Sequence, residues 1–147
     1  MSVEKSWQRQ INMLNTFQNI GWAVEFMSKE LRRAYSSNVN ILGGNRITFR
    51  IDPDSNNQPP WMWIEYFYDI ATSKIYRRWR YTGSVWSDKK VLASHVVSNP
   101  SGNAFFRKDP TDNKVIIIEI TTRPDPSKPE GTGNINYTLI TSIRPRN

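Results

Sequence analysis

A stripe of nine apolar residues constrains this chain more than any other feature in it. Trp7, Ile11, Leu14, Phe17, Ile20, Val24, Met27, Leu31 and Ala34 follow one another at steps of three or four, the spacing that stacks side chains on one face of a helix. Only Gly21 is out of character for a helix in that stretch. Gln8, Arg9, Asn12, Asn15, Gln18, Asn19, Glu25, Lys29, Arg32 and Arg33 take the opposite side. An amphipathic segment of this kind is stable only against a partner surface, so the rest of the chain must supply one. The expected helix runs over residues 6–35.

The remainder reads as strands. Ile47, Phe49 and Ile51 alternate with Arg46, Thr48 and Arg50, which is period two with one buried face. After the loop Asp52–Pro60, two aromatic and β-branched runs, Trp61–Ile70 and Lys74–Thr82, are close enough for a hairpin closed at Ala71–Lys74. Trp61, Trp63 and Phe67 share one face of the first run, and Met62, Ile64, Tyr66 and Tyr68 the other. In the second, Ile75, Arg77, Trp79 and Tyr81 alternate with Tyr76, Arg78 and Arg80, so neither face is purely apolar. Short strands are expected over Val91–Ser98 and Ala104–Arg107, a strong one over Lys114–Arg123, and a last one over Ile135–Arg144, after the proline- and glycine-bearing loop Pro124–Asn134. The expected fold class is therefore α+β: one domain over 1–147, with a long N-terminal helix packed on an antiparallel sheet spanning 46–144.

Composition removes several classes of function. The chain has no cysteine, which excludes disulfides, thiolate metal sites and cysteine nucleophiles. Its one histidine, His95, lies beside Val96 and Val97 on an expected strand, without the carboxylate or nucleophile spacing that general-base chemistry needs. No phosphate-binding glycine loop or nucleophile elbow occurs. No enzyme, cofactor or small-molecule substrate is expected. Asp52, Asp54 and Asn56 match the first three ligand positions of a calcium loop, but the glycine and glutamate that would complete it are missing, and a proline-aspartate turn accounts for them. No metal is expected. A net charge of +7 suits an anionic partner without requiring one. Lys74, Arg77, Arg78 and Arg80, interleaved with Tyr76, Trp79 and Tyr81, make a candidate nucleic-acid surface, with Arg77, Arg78 and Arg80 as the anion-binding set. The competing account puts Trp79 and Ile75 in the core and leaves Arg78 and Arg80 as solvated strand positions.

Several phrases stand in order along the chain: Met27-Ser28-Lys29-Glu30-Leu31-Arg32-Arg33-Ala34 at the helix close, Ile47-Thr48-Phe49, Ile75-Tyr76-Arg77-Arg78 after the hairpin, Val91-Leu92-Ala93-Ser94-His95-Val96-Val97, and Arg146-Asn147. Taken together, they resemble the minor pseudopilins of type II secretion and the minor pilins of type IV pili. The family's leader and its apolar segment with a glutamate are absent, so cleavage and methylation cannot be read. The resemblance implies a non-enzymatic structural subunit whose membrane-anchoring half-helix lies upstream. It would sit in the cell envelope, anchored in the inner membrane with its soluble domain outside the cytoplasm.

Three readings follow. In the first, the helix face at Trp7, Ile11 and Leu14 packs against other pilin or pseudopilin subunits, because a small sheet cannot cover the whole stripe. In the second, the Lys74–Tyr81 hairpin binds nucleic acid, as in DNA uptake. In the third, Trp61, Trp63 and Tyr66 form an aromatic cone around a small ligand.

Overall fold

The computed structural model describes residues 19–52 and 60–146. Within them the chain is mostly antiparallel sheet: 43% of the described residues are in strands or bridges and 14% in helical conformation. Helix α1, described over residues 19–32, gives way to the 3-10 turn Ser36–Asn38. Nine strands follow, β1 Asn40–Leu42, β2 Arg46–Ile51, β3 Met62–Asp69, β4 Lys74–Tyr81, β5 Lys90–Ala93, β6 Val96–Val97, β7 Phe106–Lys108, β8 Ile116–Thr122 and β9 Tyr137–Ile143.

This corrects the expected fold class of a long N-terminal helix on one antiparallel sheet. The described helix is short, it ends before residue 35, and the strands form two sheets rather than one. The last turn tightens through Arg33 N–H to Glu30 O and Ala34 N–H to Leu31 O, and Arg146 N–H takes the Ala34 carbonyl. Tyr35 is already extended, with φ −91° and ψ 131°, and bridges Arg146. Apolar spacing identifies which face a helix buries, but it carries no information about how much of the core the strands build. The part of the stripe from Trp7 to Phe17 lies outside the described residues.

The first sheet is a meander in the order β1-β2-β3-β4-β5. In the second, β9 pairs with β8 along its whole length, while β6 and β7 pair with opposite ends of β8. A strand has two edges, so β6 and β7 share the edge that β9 leaves open. The expected strand Val91–Ser98 is thus two strands in two sheets. The corner is His95, with φ 62°, a left-handed conformation that histidine adopts more readily than most residues. Strand β1 was not expected, because three residues are too few to display an alternation.

Both sheets and the helix share one buried cluster. Ile20, Ala23, Met27 and Leu31 of α1 are fully buried with Ile47, Phe49, Ile64 and Tyr66 of the first sheet and Phe106, Ile118 and Ile120 of the second. Burying side chains of this size contributes roughly 1.5–3 kcal/mol each for the large aliphatics. The sheets also meet at Gly44, with φ 79°, where a Cβ would lie 2.4 Å from that of Ala104. Glycine permits both the conformation and the approach.

Candidate functional site

The register of the meander sorts the first sheet's side chains into rows on two faces. Toward the helix lie Ile47–Tyr66–Arg77, Phe49–Ile64–Trp79 and Ile51–Met62–Tyr81. Arg77 is the only ion in these rows, and a buried guanidinium requires a partner. Glu30 of α1 provides it, accepting from Arg77 Nε at 2.8 Å, from Nη2 at 2.6 Å and from the Tyr66 hydroxyl at 2.6 Å. Phe26 packs on the guanidinium, with its centroid 5.6 Å from Cζ. Burial, followed by the charge and hydrogen bond of Glu30, pushes the Tyr66 phenol well above its ordinary pKa. Burial opposes the charge on Arg77, but the Glu30 contacts outweigh it and raise its pKa. This trio joins helix to sheet.

The opposite face carries three rows as well: Arg46–Phe67–Tyr76, Thr48–Glu65–Arg78 and Arg50–Trp63–Arg80. In the first, Arg46 lies over the Phe67 ring, Phe67 stacks on Tyr76, and Lys89 lies over Tyr76. In the second, Glu65 is nearly inaccessible, with 4% exposure. It accepts from Arg78 Nε at 2.7 Å, from Arg46 at 3.3 Å and from Thr48 at 3.2 Å.

The third row has no acceptor. Arg50 sits 4.0 Å above the Trp61 ring, and Arg80 lies 4.9 Å from Trp86. Neither makes an ion pair among the described residues. The Nε atoms of Arg50 and Arg80 and the indole Nε1 of Trp61 are buried without hydrogen-bond partners among the described residues. Trp86 reaches this face because its loop folds back, with Ser87 N–H donating to Trp79 O and Trp79 N–H to Ser87 Oγ. Across the three rows, four arginines face one carboxylate.

The expected anion-binding set is therefore divided between faces: Arg77 points to the helix, while Arg78 and Arg80 lie outside, beside Arg46 and Arg50. Trp7, Ile11 and Leu14 lie outside the described residues. Trp61 and Trp63 belong to the outer face and Tyr66 to the core, so the three rings do not enclose a common cone. Asp52 is buried, and both its carboxylate oxygens are unpartnered among the described residues, whereas Asp54 and Asn56 lie outside them. His95 is exposed at the sheet corner. Among the described residues, no group of three potential metal-ligating side chains converges, and no helix is long and apolar enough to cross a membrane.

Glu30, Glu65, Arg46, Arg50 and Trp86 were not singled out by sequence. A signal existed for Glu30: an arginine between Ile75 and Trp79 on the same strand face calls for a buried carboxylate from elsewhere. The helical period carried a second signal: Glu30 stands three residues after Met27 and four before Ala34, at the edge of the apolar stripe, whereas exposed Glu25, in a solvated pair with Lys29, lies on the opposite side.

A fourth buried carboxylate, Glu119 of β8, faces away from the core under the loop 98–104. Ser101 and Asn103 donate to it, and Arg107 pairs with it at 3.0 Å. The open groove between this loop and the β3–β4 turn is lined by Asn45, Tyr68, Ile70, Asn99 and Phe105, among others, with no carboxylate, histidine or cation. It offers no acid–base pair. No known family's sequence profile matches the chain, and neither a curated protein nor a solved structure matches it significantly.

Proposed function

We propose that this protein is a non-enzymatic structural subunit of a type IV pilus or a type II secretion pseudopilus, assembling through the N-terminal part of its apolar stripe. The observation that carries the reading is the completeness of burial along α1. Ile20, Ala23, Met27, Leu31 and Ala34 each have 0% exposure, so the protein's own sheets consume the stripe from residue 20 onward. The same sequence period continues upstream through Phe17, Leu14, Ile11 and Trp7, and those positions need apolar cover of their own. The phrases that resemble minor pilins support the reading too. The Leu31–Ala34 phrase closes α1, and Ile75–Arg78 supplies the arginine that holds Glu30. The full-length protein is proposed to be anchored in the inner membrane through an upstream apolar segment, with this domain outside the cytoplasm.

The absence of cysteine from these 147 residues makes the test direct. Single Trp7→Cys, Ile11→Cys and Leu14→Cys variants of the full-length protein, treated with a short thiol-to-amine cross-linker in the native host, should join to other filament subunits. Lys29→Cys, on the solvent face, should not. Equal cross-linking from all four positions, or none from the first three, would refute assembly through this face.

A further inference from the structure

The arginines of the first sheet allow a comparison within one sheet. Two of the four that matter here have their Nε edge filled by a carboxylate: Arg77 by Glu30 and Arg78 by Glu65. That edge is the one through which arginine grips planar oxyanions with two parallel hydrogen bonds. In Arg50 and Arg80 the same Nε is buried and unpartnered, and neither cation has a carboxylate among the described residues. An unpaired buried donor is costly, and the protein retains two of them in one row, with the unpartnered Trp61 indole N–H beside Arg50.

We propose that the Arg50–Trp63–Arg80 row binds single-stranded nucleic acid, with phosphate oxygens pairing with the two unneutralised guanidinium groups and a base lying on Trp63. This goes beyond the structural-subunit reading and does not depend on it. The strand order places Arg50 and Arg80 on either side of Trp63, their backbones about 10 Å apart across two strand spacings. A ligand satisfying both must carry anionic groups in series. The ring between them is half-buried and has no stacking or cation partner among the described residues, unlike Phe67, Tyr76, Trp61 and Trp86, which cations already cover. Cations that follow a backbone, with an uncovered aromatic between them, are the elements from which single-strand surfaces are made. Four arginines against Glu65 supply the complementary charge. The site differs from the Arg77–Arg78–Arg80 set expected from sequence, because Arg77 and Arg78 are occupied.

The test is fluorescence anisotropy of a labelled oligothymidylate against the 147-residue chain, titrated over a series of salt concentrations. Arg50→Ala and Arg80→Ala should each weaken binding about tenfold and reduce the slope of log K against log salt by about 0.7 per lost phosphate contact. Arg50→Lys keeps the charge but lacks the fork, so it should weaken binding with the slope intact. Trp63→Leu should cost about tenfold without changing the slope, and Trp63→Phe should retain most of the affinity. Arg144→Ala, just past the end of β9, should have no effect. Melting curves of each variant separate lost binding from lost folding, and the Lys and Phe variants remain informative if the larger truncations unfold. No binding at low salt would overturn the proposal. So would affinity unchanged in Arg50→Ala and Arg80→Ala. Equal binding of heparin and duplex DNA, with Trp63→Leu silent, would replace it with a generic polyanion surface.

Discussion

The two faces of the five-stranded sheet solve the same problem differently. Toward the helix, one cation is matched by one carboxylate, and Glu30 spends both oxygens on Arg77 and Tyr66. On the outer face, Glu65 serves Arg46 and Arg78, while Arg50 and Arg80 go without a carboxylate among the described residues. The inner pairing is nearly closed to water, with side-chain exposures of 17% and 11%, so its charges cannot be left unmatched. The outer arginines keep solvent access at their tips and lie on aromatic rings, which hold a guanidinium without neutralising it. Burial thus enforces charge balance on one face, and the other can carry surplus charge for use.

The comparison would break first at Glu30. Glu30→Ala leaves a buried guanidinium and a buried phenol without an acceptor, and should destabilise the fold by about 3–5 kcal/mol in urea denaturation. A loss near zero would mean that the seam is not sealed. Glu65→Gln should cost less, about 1–2 kcal/mol by the same measurement, because Arg46 and Arg78 can turn to water.

Glu119 extends the contrast to the second sheet. Burial alone would raise its pKa, but hydrogen bonds from Ser101, Arg107 and Asn103, with the Arg107 charge, hold it below the ordinary value. A carboxyl depressed on folding adds stability above its unfolded pKa and loses it as pH falls through the folded value. Stability should therefore decline below about pH 4.5, and Glu119→Gln should show a shallower acid limb in melting temperature against pH. The smallest effect belongs to the outer row: Arg50→Lys and Arg80→Lys should change stability by no more than about 0.5 kcal/mol, as substitutions outside the packed core do. A loss of several kcal/mol there would mean that these cations hold the fold and are not held in reserve.

Much of the sheet was legible in the sequence. The alternation of Ile47, Phe49 and Ile51 located β2 at its observed bounds, and the aromatic runs located the β3–β4 hairpin to within a residue at each end, since side-chain period is a local property. Strand β1 and the β5–β6 corner were not legible. A three-residue strand has no period, and His95 resembles a strand residue until its positive φ is known.

The sequence by itself determined which residues share a face: the helical stripe from Ile20 to Ala34, the two faces of β3, and the mixed character of β4. Only the tertiary structure decided which arginines are neutralised. Arg77 meets a carboxylate 47 residues away and Arg78 one 13 residues away, while Arg50 and Arg80, of the same residue type on the same sheet, meet none among the described residues. The physical reason is that hydrophobic period is written in near neighbours along the chain, whereas the pairing of buried charge depends on side chains that only folding brings together.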